Sequence, residues 1–191
     1  PGSRRGEVGR LLPIFRAALE AAAPAAPGVR IAAVLAPAVR AEAEAALRSW
    51  SLPVRVVEAA DKYDAFAAAA VALAASGTVS TELAVNGTPH VVAYRVDAIT
   101  AAWARRVMTT PFVSIVNIMA RDTVIPEFVQ EECRADLIAD ATRRLLRDEA
   151  ARDLQRKRMA REVARLDLDG PAAADRAAET VDAWARAAAG V

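Results

Sequence analysis

The segment from Ser76 to Glu82 contains the residue types of an anion site. Ser76, Gly77 and Thr78 follow an apolar stretch and precede a helical pattern. Gly77 lets a ligand approach the backbone, the two hydroxyls offer hydrogen bonds, and a helix that begins here presents free N–H groups and the positive end of its dipole. A phosphate is the expected occupant, although the three residues alone favour the alternative that they only cap their own helix.

Glu82 shifts this interpretation towards a nucleotide. A reciprocal capping glutamate would stand three residues after Thr78, whereas Glu82 stands four after it and returns to the same helix face about 6 Å further along the axis. A carboxylate in contact with a phosphate would repel it, but one turn away it can accept hydrogen bonds from ribose hydroxyls. The spacing therefore predicts a phosphate at the helix start and a sugar beside Glu82.

A second glycine turn precedes the first helical pattern of the chain. Gly2 and Ser3 are followed by Arg4 and Arg5, so this turn combines a helix start with a guanidinium that can neutralise an anion. Two adjacent arginines are usually just solvated. Together with the turn at 76–78, however, the pattern predicts a ligand with two phosphates.

Three further polar residues are candidates for the same site. Asn117 follows a largely apolar run, and its amide is expected to face the mouth of the crevice, with a plain turn residue as an equally weighted alternative. Glu127 and Gln130 are expected to share one face of a helix that begins at Pro126, although a solvated first turn needs no function.

Positioning these residues requires an alternating arrangement of strands and helices. Apolar runs rich in Val, Ile, Leu and Ala recur with the spacing of strand–helix–strand units, at 29–37, 53–59, 70–75, 90–95 and 112–117. Runs without alternation are typical of strands buried on both faces, so we expect a parallel sheet flanked by helices, with ligands outside the carboxyl ends of the strands. The first helix is expected to begin near Arg10 or to kink at Pro13.

After residue 126 the pattern is helical, with helices expected at 135–147, 149–165 and 171–189. We therefore predict an α/β domain over 1–147 and a helical C-terminal extension over 148–191. The chain starts without Met and without a strand before its first glycine turn, so we expect it to be part of a longer protein with its first strand truncated.

Composition excludes several classes of function. The 191 residues carry a net charge of only +1, which argues against a surface that attracts nucleic acid. Cys133 and His90 are the only residues of their types, so a zinc site and a Cys-His catalytic pair are not expected. His90 and Cys133 are instead expected to be structural. No apolar run approaches the roughly 20 residues that a membrane-spanning helix needs.

Four segments together resemble one enzyme family. The stretches PGSRRGEV, ASGTVSTELAVNGTPHVVAYRV, FVSIVNIMA and VIPEFVQEEC, in this order, are similar to the C-terminal half of lipid-A-disaccharide synthases, which are inverting glycosyltransferases of the GT-B architecture. The resemblance implies a Rossmann-like half that binds a UDP-sugar. It also implies transfer of 2,3-diacylglucosamine from its UDP derivative to 2,3-diacylglucosamine 1-phosphate, with release of UDP. No metal or cofactor is expected, because the UDP-sugar is a substrate.

The family's functional positions can be transferred motif by motif. The resemblance implies nucleotide-binding roles for Gly2, Ser3, Arg4, Ser76, Gly77, Thr78, Glu82, Glu127 and Gln130. It implies catalytic roles for Arg4 and Asn117. The chain departs from the family pattern at Val116, where the family commonly has proline, and at 120–122, where a glycine is usual.

The resemblance also implies partners and a location. These are UDP-2,3-diacylglucosamine, a lipid acceptor bound through an N-terminal half that we expect to be missing, and the cytoplasmic face of the inner membrane. A homodimer is left open, and no nucleic acid is expected. Two alternatives are another GT-B UDP-sugar transferase or epimerase half, and a non-catalytic flavodoxin-like binding module.

Overall fold

The computed structural model describes residues 1–107, 110–166 and 173–189. Short strands alternate with helices, as expected. The strands are β1 (Ile31–Val34), β2 (Val54–Val57), β3 (Ala72–Ala75), β4 (His90–Tyr94) and β5 (Glu127–Val129). The helices are α1 (Arg5–Ala22), α2 (Arg40–Leu47), α3 (Lys62–Ala68), α4 (Thr78–Val85), α5 (Ala98–Val107), α6 (Ile115–Ala120), α7 (Ala135–Arg147), α8 (Glu149–Val163) and α9 (Ala173–Ala189).

All of the strand pairs in these ranges are parallel. β1 pairs with β2, with Ile31 opposite Val54, and β3, β4 and β5 form a second sheet in that order. The expected α/β class with parallel strands is confirmed, but the strands form a two-stranded and a three-stranded sheet. Val34 of β1 and Ala72 of β3 belong to one apolar cluster, which joins the two sheets through side-chain packing.

Helices cover both faces of the three-stranded sheet. Because side chains alternate along a strand, Val91 and Ala93 face one side of β4 and Val92 faces the other. The first side packs against α1 and α7, through residues such as Leu11, Phe15 and Ile138. The second side packs against α4, α6 and α8, through Ala84, Val116 and Met159. Burial on both faces explains why β4 is uniformly apolar after its first residue.

Two elements near the carboxyl edge differ from expectation. The run 112–117 is not a strand, because Ser114 is the N-cap of α6 and its Oγ accepts a hydrogen bond from the backbone N–H of Asn117 at 3.4 Å. The strand beside β4 is β5, where a helix was expected from Pro126. A short apolar run cannot be assigned by periodicity alone, and the capping serine was the overlooked signal.

Helix α1 begins at Arg5, so the expectation of a start near Arg10 was wrong. Pro13 lies inside the helix and cannot donate to the carbonyl of Gly9. Gly9 is exposed, and water can therefore replace the missing donor. The first turn is held by Glu7, which accepts hydrogen bonds from the chain before the helix.

The C-terminal helices differ in how they contact the rest of the chain. Helix α7 ends at Arg147 and α8 begins at Glu149, and between them Asp148 Oδ1 accepts a hydrogen bond from the N–H of Ala151. Met159 of α8 is fully buried against the sheet. In α9, by contrast, Val181 and Trp184 are exposed.

Candidate functional site

The first glycine turn is stabilised by a carboxylate from its own helix. The backbone N–H groups of Ser3 and Arg4 donate to Glu7 Oε2 at 3.1 and 3.3 Å, and Arg4 Nη1 lies 3.6 Å from Glu7 Oε1. Gly2 has a φ of 107°, and a Cβ at this position would lie 2.8 Å from Glu7 Oε2. Only glycine fits here. Glu7 was missed, although it stands three residues after Arg4, the spacing of a capping glutamate.

Glu7 changes which donors of this turn can meet a ligand. The N–H groups of Ser3 and Arg4 already have an acceptor, whereas those of Arg5 and Gly6 have none in the described chain. The Arg4 side chain is 81% exposed, so its guanidinium is accessible. The turn therefore offers the amides of Arg5 and Gly6, with the Arg4 side chain beside them.

Packing places the start of α1 near the carboxyl ends of the strands. Val8 packs with Leu35, which directly follows β1. The pKa of Asp97, just after β4, lies below its ordinary value, mainly because the amide and hydroxyl of Thr100 donate to its carboxylate and, in smaller part, because Arg10 of α1 is close. These contacts put the turn at 2–4 on the same edge as the loop after β3.

The second glycine turn is open. Gly77 has a φ of 128°, it is exposed, and a Cβ added here would meet nothing within 4 Å. Helix α4 starts at Thr78 without a side-chain cap, and the N–H groups of Thr78 and Val79 have no acceptor among the described residues. This geometry agrees with the expected anion-accessible helix start.

Ser76 does not offer its hydroxyl hydrogen to this opening. Its Oγ donates to the carbonyl oxygen of Val113 at 3.0 Å. The N–H groups of Val113 and Ser114 in turn donate to the Glu127 carboxylate at 2.8 and 2.9 Å. Ser76 and Glu127 therefore both bind backbone groups of the segment at 113–114, and this segment links the two residues.

Asn117 belongs to the same network but lies inside the protein. It is fully buried, and its Nδ2 donates to the Ile125 carbonyl at 2.7 Å and to Glu127 Oε1 at 2.8 Å. Its Oδ1 accepts from the N–H groups of Val124 and Ile125, both at 2.9 Å. The expectation that Asn117 faces the crevice mouth was wrong, because α6 turns it inward and every hydrogen-bonding position of its amide is used.

Gln130 does not share a helix face with Glu127, contrary to expectation. Glu127 lies in β5, and Gln130 follows the strand with a φ of 53°. When the Gln130 amide is oriented to satisfy its surroundings, it donates to the carbonyl of Val96 and accepts from the Val96 N–H, both at 3.3 Å. Gln130 thus joins the chain after β5 to the chain after β4.

Glu82 lies one turn into α4, as expected, and its carboxylate contacts α3. Lys62 Nζ is 2.8 Å from Glu82 Oε1, and the Tyr63 hydroxyl is 3.5 Å from the same oxygen. The Glu82 side chain is 26% exposed. Both contacts were invisible in the sequence pattern, since Lys62 and Glu82 are twenty residues apart.

Comparison with known proteins identifies the family. The family model described as lipid-A-disaccharide synthetase matches residues 1–181. The chain belongs to this family. It is 41% identical to the lipid-A-disaccharide synthase of Paramagnetospirillum magneticum, over 95% of this chain and 47% of the relative. It is 44% identical to that of Rhodospirillum centenum, over 81% of this chain and 39% of the relative.

Membership of the lipid-A-disaccharide synthetase family confirms the resemblance seen in the four sequence segments. The chain spans less than half the length of the curated relatives it matches. In the described ranges, no helix combines the length and the apolar character needed to cross a membrane. Nor does the same part of the chain hold a group of three or more His, Cys, Asp or Glu side chains suited to a metal ion.

Proposed function

We propose that this chain is the donor-binding half of a lipid-A-disaccharide synthase. In this proposal, residues 1–147 hold the UDP of UDP-2,3-diacylglucosamine while the sugar is transferred to 2,3-diacylglucosamine 1-phosphate and UDP is released. The observation that carries the proposal is the pair of positive-φ glycine turns, at Gly2 and Gly77, that open α1 and α4 at one edge of the sheet. Family membership supplies the reaction.

The diphosphate would bind between the two helix starts. The accessible N–H groups of Arg5 and Gly6 face it from α1, and those of Thr78 and Val79 face it from α4. When the bond from the anomeric carbon to the diphosphate breaks, its electron pair moves to the phosphate oxygen. The helix ends and the Arg4 guanidinium stabilise this growing negative charge.

The nucleoside would extend along α4 towards Glu82. Only Oε1 of Glu82 has a partner among the described residues, so Oε2 is free to accept a hydrogen bond from a ribose hydroxyl. The separation of one helical turn keeps the carboxylate away from the phosphates. Glu82 would therefore contact the sugar and not the diphosphate.

Asn117, Glu127 and Gln130 are proposed as positioning residues. Each one contacts backbone groups of a loop: Asn117 at 124–125 before β5, Glu127 at 113–114 before α6, and Gln130 at Val96 after β4. In place of the catalytic role that the resemblance implied, Asn117 fixes the segment at 124–125 that precedes Glu127 and donates a hydrogen bond to the Glu127 carboxylate. Glu127 in turn accepts from the N–H groups of Val113 and Ser114, and the carbonyl of Val113 accepts from Ser76 at the start of the open turn.

The remaining partners follow from the same proposal. The lipid acceptor and the general base for its attacking hydroxyl belong to the half of the family's architecture that this chain does not cover. Because donor and acceptor both carry acyl chains, the enzyme would act on the cytoplasmic face of the inner membrane. No metal is proposed, since the guanidinium and the helix ends supply the positive charge.

Isothermal titration calorimetry with UDP tests the donor site. The wild-type chain should bind UDP more tightly than inorganic phosphate, because ribose and uracil add contacts. Arg4→Ala should weaken UDP binding about tenfold, the loss of one charge-assisted hydrogen bond from an exposed side chain, or about 1.4 kcal/mol. Arg156→Ala is the matched control, because Arg156 pairs with Asp153 on α8.

The control variant should bind UDP as the wild type does. Equal affinity of the wild-type chain for UDP and for phosphate would refute a nucleotide site. An equal loss of affinity in Arg4→Ala and Arg156→Ala would show that UDP binding depends only on the net charge of the chain.

A further inference from the structure

The Glu82 carboxylate is held from one side by two side chains of α3. The ammonium of Lys62 donates to Oε1 at 2.8 Å, and the Tyr63 hydroxyl approaches the same oxygen at 3.5 Å. The Lys62 and Glu82 side chains are 25% and 26% exposed, so the pair is shielded more than a typical surface ion pair. Both groups from α3 therefore engage the same carboxylate oxygen.

Lys62 is itself fixed in position. Its Nζ lies 4.5 Å from the centroid of the Tyr63 ring, within the range of a cation–π contact. The Tyr63 ring meets Phe66 edge-on, with ring centroids 6.0 Å apart at 88°, and Phe66 is buried. A chain of contacts thus connects the core of the domain to the Lys62 ammonium.

The ion pair also neutralises the negative charge of Glu82 beside the proposed diphosphate site. A lone carboxylate one helical turn from a diphosphate would repel it through space, since unit charges several ångströms apart still interact measurably at a protein surface. Lys62 offsets that charge. The pKa of Lys62 is raised, chiefly because its ammonium donates to Glu82, so Lys62 stays cationic at neutral pH.

We propose that Lys62 is a positioning residue of the nucleotide site: it orients Glu82 so that Oε2 meets the ribose hydroxyls, and it cancels the repulsion between Glu82 and the diphosphate. This inference rests on the proposed function. Orientation in advance of binding matters because a side chain that must be ordered by the ligand lowers the affinity. The effect of Lys62 should therefore depend on the ribose hydroxyls and on Glu82.

Calorimetry with two nucleotides separates this role from a general charge effect. UDP carries both ribose hydroxyls, and 2′,3′-dideoxy-UDP carries neither but has the same diphosphate. Lys62→Met keeps the length of the stem over the Tyr63 ring and removes the charge. It should weaken UDP binding about three- to tenfold, as expected for part of one charge-assisted hydrogen bond, and 2′,3′-dideoxy-UDP binding less than twofold.

Three further variants complete the design. Lys62→Arg keeps the cation and should retain UDP binding within about twofold of the wild type. In a Glu82→Gln background, Lys62→Met should change UDP binding less than twofold, because the carboxylate that Lys62 orients is gone. Lys157→Met is the matched control, because Lys157 is the chain's other lysine and is exposed on α8, two residues after Gln155, whose side chain contacts His90 at the amino end of β4.

The outcomes separate this inference from the proposed function. If the wild-type chain does not bind UDP, the proposed function is wrong, and the role of Lys62, which rests on it, is wrong as well. If the wild type binds UDP but Lys62→Met weakens both nucleotides equally, Lys62 is only a cation near the diphosphate, and the inference is wrong. Unchanged UDP binding in Lys62→Met, with its circular dichroism spectrum intact, overturns it as well.

Discussion

His90 should make the stability of the domain fall as the solution becomes acidic. The imidazole is fully buried, with Nε2 3.0 Å from Ser80 Oγ and Nδ1 2.9 Å from the carbonyl oxygen of Thr88. A carbonyl can only accept, so Nδ1 carries the proton and Nε2 accepts from the Ser80 hydroxyl. Burial lowers the pKa of His90 from 6.5 to about 4.

The size of the effect follows from the two pKa values. The unfolded chain binds a proton at His90 below pH 6.5, whereas the folded chain does so only near pH 4. The stabilisation is therefore complete above pH 6.5 and is lost as the pH falls towards 4. Between pH 8 and pH 5, the free energy of unfolding should fall by about 2 kcal/mol from this group alone.

Urea unfolding followed by circular dichroism measures this loss at each pH. Carboxylates also titrate in this range, so the comparison is with His90→Gln, which keeps a neutral polar side chain and cannot gain the proton. The wild type should lose about 2 kcal/mol more than the variant between pH 8 and pH 5.

Equal pH dependence in the two proteins would refute the reasoning. Because His90 is the only histidine, its imidazole signal in a proton NMR titration gives an independent measurement. A titration midpoint near 6.5 in the folded protein would show that the ring is not buried as the structure places it.

Two further substitutions test the supports of the site. Asn117→Ala should lower the free energy of unfolding by about 2–4 kcal/mol in urea titrations, because it leaves the N–H group of Ile125 without its acceptor and the N–H group of Val124 with only the Asp122 carbonyl. A loss below about 1 kcal/mol would contradict this reasoning. Glu7→Ala should lower the free energy of unfolding by about 1 kcal/mol at the wild-type melting temperature, because the N–H groups of Ser3 and Arg4 lose their acceptor. Glu7→Gln keeps an acceptor oxygen and should lose less than half as much. Equal losses in both variants, measured by thermal unfolding, would contradict the capping role.

Much of the fold was predictable because local signals agreed with burial. The runs that became β1 to β4 are largely apolar, and each has a proline or glycine near at least one end. Helix α7 follows its helical pattern over the expected residues 135–147. Local signals failed where two structures compete for one short run. At 112–117, the N-cap Ser114 stabilises a helix that begins at Ile115, although the apolar side chains suit a strand equally well.

The candidate site was predictable only in part. Gly2 and Gly77 were recognisable, because a glycine shortly before a helical pattern is typical of a turn with positive φ, and both glycines have that conformation. The role of Lys62 was not recognisable in the sequence, because its pairing with Glu82 depends on how α3 packs beside α4. Asn117 was misplaced for a related reason: the direction of a polar side chain depends on the element that carries it.

The misassigned region shows how the open turn at 76–78 is held. Pro53, Pro89 and Pro126 each precede a strand, and the carbonyl of each accepts a hydrogen bond from the neighbouring strand, from Ile31, Ala72 and Val92 respectively. Pro126 therefore precedes its strand as Pro53 and Pro89 precede theirs. This shared pattern in the sequence could have predicted a strand after Pro126.

Pro126 precedes β5, so Glu127 is the first residue of this outer strand. Its carboxylate accepts hydrogen bonds from the N–H groups of Val113 and Ser114. The carbonyl of Val113 then accepts from Ser76. Strand β5 thus fixes the loop at 113–114 that holds Ser76, and through this loop it supports the start of α4, where the phosphate site is proposed.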